Sequence, residues 1–235
     1  TISLYVIGAF ERRKGVYDSV YQAYAEDLKP GVNPLDPVAL AEQVKSIRAH
    51  DPDAYIVLFP HWGKNYAWKT KRQVKQAHAC INAGVDLIIG HGAHMMQEIE
   101  RYKGKWIVYS IGNFMFNSPG RYTHMKVDPF SMACRLMLSF RNGKPTPSLQ
   151  LYPILTDNRS TRYRTRPLNE TEFPKFYSLL DERIPGTAKW KTRIRAKRNK
   201  LGHYLSINLG RGRSKNGANE GGEDVFDIEA NPAAN

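Results

Sequence analysis

Apolar and polar residues fall along this chain in blocks, and the blocks predict strands and helices in turn. SLYVIGAF (3–10) reads as a strand, and residues 16–28 form an aromatic-rich stretch that leans toward helix. LKPGVNPLDP (28–37) is a loop by its prolines, glycine and asparagine. Asp36-Pro37 then opens a helix that runs to about His50. The Asp36 carboxylate can accept from the free amides of the first turn, and Pro37 suits the first helical position. Val38, Leu40, Ala41, Val44 and Ile47 share one face of that helix, and Asp51-Pro52 stops it.

DAYIVLFPHWG (53–63) and VDLIIG (85–90) are continuous apolar runs. Between them residues 69–83 read as a helix, basic on one side, with Val74, Ala77, Cys80 and Ile81 on the other. Strands without polar alternation are buried on both faces, as parallel strands covered by helices are. Strand, helix, strand therefore predicts a right-handed βαβ unit. KWIVYSIGNF (105–114) is a third such strand. FSMACRLMLSFRNGKP (130–145) and SLQLYPIL (148–155) pair as a hairpin around Asn142-Gly143, and ETEFPKFYSLLDERI (170–184) is a short helix. The predicted class is α/β, a layered sandwich with a mixed sheet built from βαβ units. Residues 1–160 form the main domain and 161–210 a basic extension, while 211–235 are rich in Gly, Asn and charge and are expected to be disordered.

Composition narrows this picture. With 235 residues, 41% hydrophobic and 24% charged, wholesale disorder is excluded. No window approaches the ~20 apolar residues that cross a bilayer. The chain opens without an initiator Met or a signal peptide, directly on a strand-like run, and is expected to be N-terminally incomplete. Cys80 and Cys134 are the only cysteines, too few for a disulfide framework or a four-thiolate zinc site.

The net charge of +13 favours polyanionic partners, and it is concentrated. No acidic residue lies between Arg183 and Glu220, and KWKTRIRAKRNK (189–200) holds seven Lys/Arg in twelve residues. Read as a strand, positions 191, 193, 195 and 197 make one cationic face; read as a helix, charge surrounds it. The stretch is either a solvated basic surface or a grip on a polyanion such as poly-glutamate, anionic lipid headgroups or nucleic acid. Trp190 and Tyr204 could stack on bases, but no nucleic-acid fold motif accompanies them, so nucleic acid is the disfavoured partner.

The candidate chemistry sits at strand ends. His61 directly follows YIVLFP, and His91 and His94 directly follow VDLIIG, in GHGAH. A lone histidine at a strand end is ordinarily a solvated loop residue. Here three stand at two strand tips, and parallel neighbouring strands would bring both tips to the sheet edge where ligands bind in open α/β folds. Neutral imidazoles there are good ligands for Zn, Mn, Fe or Ni. Lys64 and Lys69, with Lys71 and Arg72, lie beside the site and suit an anionic substrate, whereas His50, His78, His124 and His203 read as structural or surface groups.

HWGKNY (61–66) and AGVDLIIGHGAHMMQEIERYKGKWIVYSIGNFMFN (83–117) together closely resemble the CapA family of capsule and poly-γ-glutamate synthesis proteins. The family pattern runs HWG-x-E-Y, AGADLVIGHHPHV-x-Q-x-x-E, Y-x-G and Y-S-L-G-N-F-x-F-D. The resemblance implies a metallophosphoesterase-like sandwich and metal-dependent hydrolysis of a phosphoester or an anionic polymer. It implies a divalent ion (Mn, Zn or Fe) held by His61, His91 and His94, and a catalytic site ordered by Asn113. It also implies substrate contacts from Lys64, Asn65, Tyr66 and Lys69, and a place at the cell envelope beside a membrane-associated capsule-synthesis complex, outside the cytoplasm and anchored by upstream sequence. Gly92, Asn65 and Asn117 replace the family's middle histidine, Glu and Asp. The family's opening G-D and N-N-H segments, which supply further ligands, precede the part matched here. The alternative expectation is a non-catalytic module on the same fold that binds an anionic polymer or membrane surface.

Overall fold

The apolar runs at 3–10, 53–63 and 85–90 lie side by side as parallel strands in a computed structural model that describes residues 2–210 apart from Lys14, Asp27, Ser118, Asn142 and Gly143. In chain order the first half comprises β1 (Leu4–Phe10), α1 (Val16–Ser19), α2 (Pro37–His50), β2 (Tyr55–His61), α3 (Lys71–Asn82), β3 (Leu87–Ile89), β4 (Ile99–Tyr102) and β5 (Lys105–Val108). Its sheet has the order β1-β2-β3-β5-β4, with β4 alone antiparallel to its neighbour. The second half comprises α4 (Arg121–Met125), β6 (Phe130–Arg141), β7 (Lys144–Leu155), α5 (Asn158–Thr161), β8 (Arg166–Pro167), α6 (Glu172–Asp181), a 3-10 turn at Lys191–Arg193, β9 (Ile194–Asn199) and β10 (Gly202–Asn208). These strands form an antiparallel sheet ordered β6-β7-β10-β9, with β8 added to β7.

The helices begin where local chemistry starts them. Asp36 accepts from the amides of Val38 (2.8 Å) and Ala39 (3.4 Å), and Pro37 takes the first position of α2. Thr70 and Gln73 close a capping box at α3: the Gln73 amide donates to Thr70 Oγ1 and the Thr70 amide donates to Gln73 Oε1. The apolar faces of α2 and α3, with Leu40, Val44, Ala77 and Cys80, pack on Ile7, Ile56, Leu58 and Ile88 of the parallel sheet. The opposite face of that sheet presents Val57, Leu87 and Val108 to Met132, Leu149, Leu151, Leu205 and Ile207 of the antiparallel sheet, and α6 adds Phe176 and Leu180. Helices, parallel sheet and antiparallel sheet thus make the layered α/β sandwich, with strands buried on both faces as their unbroken apolar runs require.

One carboxylate ties the amino ends of this first sheet together. Asp86, just before β3, accepts from the Ile56 amide (3.0 Å), from Arg48 of α2 (2.6 Å) and from Lys105 of β5 (2.5 Å).

Several elements differ from the sequence expectation. Only Val16–Ser19 of the stretch 16–28 is helical, because the Ala25 amide donates to the Val32 carbonyl and the Val32 amide to the Ala23 carbonyl instead of continuing the coil. The strand expected over 105–114 stops at Val108, beyond which Tyr109 and Ile111 donate to the carbonyls of Glu98 and Gly90. β4 and β10 were not legible at all, and 189–200 resolves into the 3-10 turn and strand β9. The hairpin is present, with Arg141 paired to Lys144; its Asn142-Gly143 turn lies outside the described residues, as does the tail 211–235. Among the described residues no helix is long and apolar enough to cross a membrane.

Candidate histidine site at the carboxyl edge of the parallel sheet

β1, β2 and β3 run in the same direction, so Phe10, His61 and His91 arrive at one edge. Phe10 pairs with His61 in register, and His61 forms a parallel bridge with His91. The two imidazole centroids stand 4.8 Å apart with planes at 82°. Each ring has an aromatic on its other side: Phe10 stacks on His61 at 4.6 Å, and Phe59 on His91 at 4.4 Å.

The loop geometry depends on two glycines. At Gly90 an added Cβ would fall 2.2 Å from the Tyr109 carbonyl and 2.4 Å from Trp62 Nε1, which donates to that same carbonyl at 2.7 Å. Gly92 has φ +103, and a Cβ there would lie 2.7 Å from His61 Cδ2. The glycine that replaces a histidine of the family pattern is therefore what lets the His61 ring rest where it does.

The electrostatics keep this pair uncharged. Burial first, then the charges of His91, Arg13 and His94, push His61 from 6.5 down to about 4. Burial also lowers His91. Both rings are neutral at pH 7, the form in which imidazole binds a cation.

His94 is held by a separate network. Its backbone has φ 63, and its ring stacks on Tyr66 at 5.3 Å with Phe116 on a second side at 4.7 Å. Asn113 Nδ2 donates to the Tyr122 hydroxyl (3.0 Å), which fixes the amide so that Asn113 Oδ1 faces His94 Nδ1 at 2.8 Å. His94 Nδ1 therefore donates to Asn113, and Nε2 is the ring nitrogen left outside this bond. The Tyr122 hydroxyl donates in turn to the His94 carbonyl at 2.9 Å and meets Thr156 Oγ1 at 2.8 Å.

Tyr66 and Asn113 thus join His94, and His61 joins His91. Lys64 and Asn65 are exposed on the loop that follows His61. Lys69 is turned to Glu98, at 3.5 Å, and over the Tyr109 ring. Of the remaining histidines, His78 stacks on Tyr102 and bonds Glu100, and His203 stacks on Phe173 and bonds Glu170.

Sequence reasoning missed Glu11, Arg13 and Tyr122. Glu11 follows β1 at the same edge, where its carboxylate accepts from the Gly63 amide (3.1 Å) and pairs with Arg72 (2.9 Å). Arg13 donates to the Gly63 carbonyl at 3.0 Å and lies over the Phe10 ring. The strand-tip argument that singles out His61 and His91 extends to the end of β1 once β1 is seen to lie parallel beside β2.

The donor chemistry suits a divalent ion, since the site offers the neutral imidazoles of His61 and His91 and the Nε2 of His94, which lies outside the Asn113 bond. The donor set is not closed. Among the described residues no group of three or more His, Cys, Asp or Glu side chains stands so as to hold a metal ion.

Residues 6–118, which carry His61, His91, His94 and Asn113, match the family model of the bacterial capsule synthesis protein PGA_cap. The capsule biosynthesis protein CapA of Bacillus anthracis is 28% identical over a 210-residue alignment that takes in 76% of this chain and 49% of that protein. The PGA biosynthesis protein CapA of Bacillus subtilis is 38% identical over 89 residues, 37% of this chain and 23% of the relative. The chain thus spans about half or less of the length of these curated relatives. By the family model and these relatives together, residues 6–118, about half of the chain, belong to the CapA family of bacterial capsule and poly-γ-glutamate synthesis proteins.

Proposed function

We propose that this chain contributes to capsule or poly-γ-glutamate biosynthesis as a metal-dependent hydrolase acting on a phosphoester or on an anionic polymer. The observation that carries this reading is the pair of neutral imidazoles, His61 and His91, side by side at the carboxyl edge of a parallel sheet. His61, His91 and His94 would hold the ion, Mn, Zn or Fe, with ligands from beyond the described residues completing its shell. Bound there, a divalent ion supplies Lewis-acid polarisation and an acidified water.

The chain's own residues prepare that chemistry. Phe10 and Phe59 exclude water from one side of the histidine pair and keep both rings in the basic form. Asn113 acts as a positioning residue, accepting from His94 Nδ1 so that Nε2 is the nitrogen turned to an incoming ion. Arg13 and Lys64 supply positive charge for an anionic substrate, Arg13 from beside Phe10 and Lys64 from the exposed loop. Tyr66, stacked on His94, and Asn65 beside it form the wall such a substrate would touch. Lys69 is spoken for by Glu98 and acts through the loop that it fixes. The same reading puts the chain at the cell envelope, outside the cytoplasm, beside a membrane-associated capsule-synthesis complex.

The test is metal content measured together with hydrolysis of an aryl phosphodiester and of poly-γ-glutamate, on the unaltered chain and on His91→Ala. Loss of both metal and turnover in the variant is expected; turnover indifferent to His91 would overturn the proposal. A second reading, a polymer-binding module without catalysis, is favoured by one observation: Glu11, a carboxylate at this edge, is already taken by Arg72 and the Gly63 amide. It requires polymer binding that survives His91→Ala, with no turnover in either form.

A further inference from the structure

α4 and α5 turn basic side chains toward one another. Arg121 and His124 lie three residues apart on one side of α4, and Arg159 reaches over from α5. Together with Pro119 and Gly120 they line a recess of about 530 Å³. Arg121, His124 and Arg159 are all exposed, and no carboxylate is among the lining side chains.

Two acids stand near these residues in the chain, and both are engaged elsewhere. Asp157 is buried, and its Oδ2 accepts from the Ser160 amide (2.9 Å) and the Ser160 hydroxyl (2.7 Å). Asp128 pairs with Lys175 of α6. Among the described residues nothing hydrogen-bonds or ion-pairs with the guanidinium groups of Arg121 and Arg159 or with the His124 imidazole. Like charges brought together in this way repel unless an anion joins them.

The fold holds this cluster in place from two sides. Gly120 has φ +74, and a Cβ there would fall 2.6 Å from Arg159 Cζ, so the guanidinium rests on a backbone position that any side chain would occupy. At the base of the recess the Tyr122 hydroxyl meets Thr156 Oγ1 at 2.8 Å, with both residues buried. That bond fastens α4 to the end of β7, from which the chain runs directly into α5.

Guanidinium groups offer paired N–H donors that fit the terminal oxygens of a phosphate, and two of them match its charge of about −2 at pH 7. A carboxylate brings a single charge and leaves the second guanidinium unmatched. The volume of the recess falls in the range of small-molecule sites. We propose that the recess between α4 and α5 is a phosphoryl-binding site, in which Arg121 and Arg159 clamp the phosphate of a small ligand and His124 borders it. The site lies beyond residues 6–118, outside the stretch that matches the family model. It is separate from the histidine pair but joined to His94 along the chain, since Phe116 packs on the His94 ring and the Tyr122 hydroxyl donates to the His94 carbonyl. The competing explanation is that the two arginines are merely solvated surface charge.

The experiment follows the His124 imidazole and the arginine Nε resonances by NMR as inorganic phosphate is added to the chelator-treated full chain at fixed pH and ionic strength. Chelation removes any ion held by the histidines, so the outcome does not depend on the proposed hydrolase activity. Saturable shifts of His124 are expected, with a dissociation constant on the order of a millimolar. Arg159→Lys, which keeps the charge and loses the fork, should weaken binding about tenfold, as should Arg121→Gln. Gly120→Ala should weaken it with every cation retained, because the added methyl displaces Arg159. Arg195→Gln, on exposed β9, should change nothing, and unmoved His203 resonances serve as the folding control throughout. A His124 signal indifferent to phosphate overturns the proposal, as does acetate binding as tightly as phosphate or an equal loss in Arg159→Lys and Arg195→Gln. Saturation of His124 by poly-γ-glutamate but not by phosphate also overturns it, by assigning the recess to carboxylates.

Discussion

β1 and β9 are both outermost strands, yet β1 turns Leu4 (44% exposed) and Val6 (61% exposed) to solvent while β9 turns out Arg195 and Lys197. The register explains the first case. Leu4 and Val6 pair with Tyr55 and Val57, which face the antiparallel sheet, but at β1 that face is open among the described residues, and a Cβ built on neighbouring Gly8 would meet nothing within 4 Å. A strand with an apolar open face is made to be covered; a strand with a charged one can remain at the surface or recruit opposite charge. The two edges thus mark two kinds of unfinished surface. One lies beside the histidine site, and the other lies at the far side of the second sheet.

If that contrast is right, substitutions should separate cleanly by place. The largest effect belongs to Leu58→Ala, fully buried beneath α2 and α3 in the strand next to β1, which should cost about 3 kcal/mol in urea unfolding. Lys197→Ala on β9 should stay within about 0.5 kcal/mol in the same measurement. Equal losses would break the comparison. Gly92→Ala comes next, at roughly 2 kcal/mol, because it combines a positive φ with a collision against His61. Imidazole NMR should show the His61 resonances moved and those of His203, on the second sheet, unmoved.

A pH series sharpens the contrast further. His61 is lowered when folded, so the unfolded chain binds its proton first, and stability contributed by the neutral ring is present above 6.5 and lost as pH falls toward about 4. In chelator-treated protein, His61→Asn should flatten that part of the stability curve; an unchanged slope would remove His61 from the account. The smallest effect is expected at β1 itself. Leu4→Asn with Val6→Asn should shift the unfolding midpoint by less than about 0.5 kcal/mol while reducing self-association in sedimentation. Arg195→Leu with Lys197→Leu should increase it.

The sequence made the parallel sheet readable because burial on both faces leaves runs such as YIVLFP and VDLIIG without polar interruption. The same physics hid β4 and β10. IERY and GHYLSIN carry polar residues on one face and contribute few apolar positions, so their strand character comes from pairing with β5 and β9 and not from a local pattern. At the site, His61 and His91 were legible as residues at matched strand tips. The Asn113–His94–Tyr122 network was only half legible: the motif points to Asn113, but Tyr122 enters from α4 across a long loop that no spacing rule links to it. Glu11 and Arg13 follow β1, whose Phe10 end becomes part of the site only once β1 is known to lie beside β2.

Gly92 also bears on how such a loop could change over time. A second histidine at this position cannot coexist with the present His61 ring, because its Cβ would already sit 2.7 Å from that ring. The two positions are coupled, and a chain moving between the GHHPH and GHGAH forms has to shift residue 61 and the Trp62 carbonyl, which would lie 2.9 Å from the same Cβ, before or together with the change at 92. Grafting the one loop onto the other background, position by position, should therefore pass through a valley in one order of substitution and avoid it in the other.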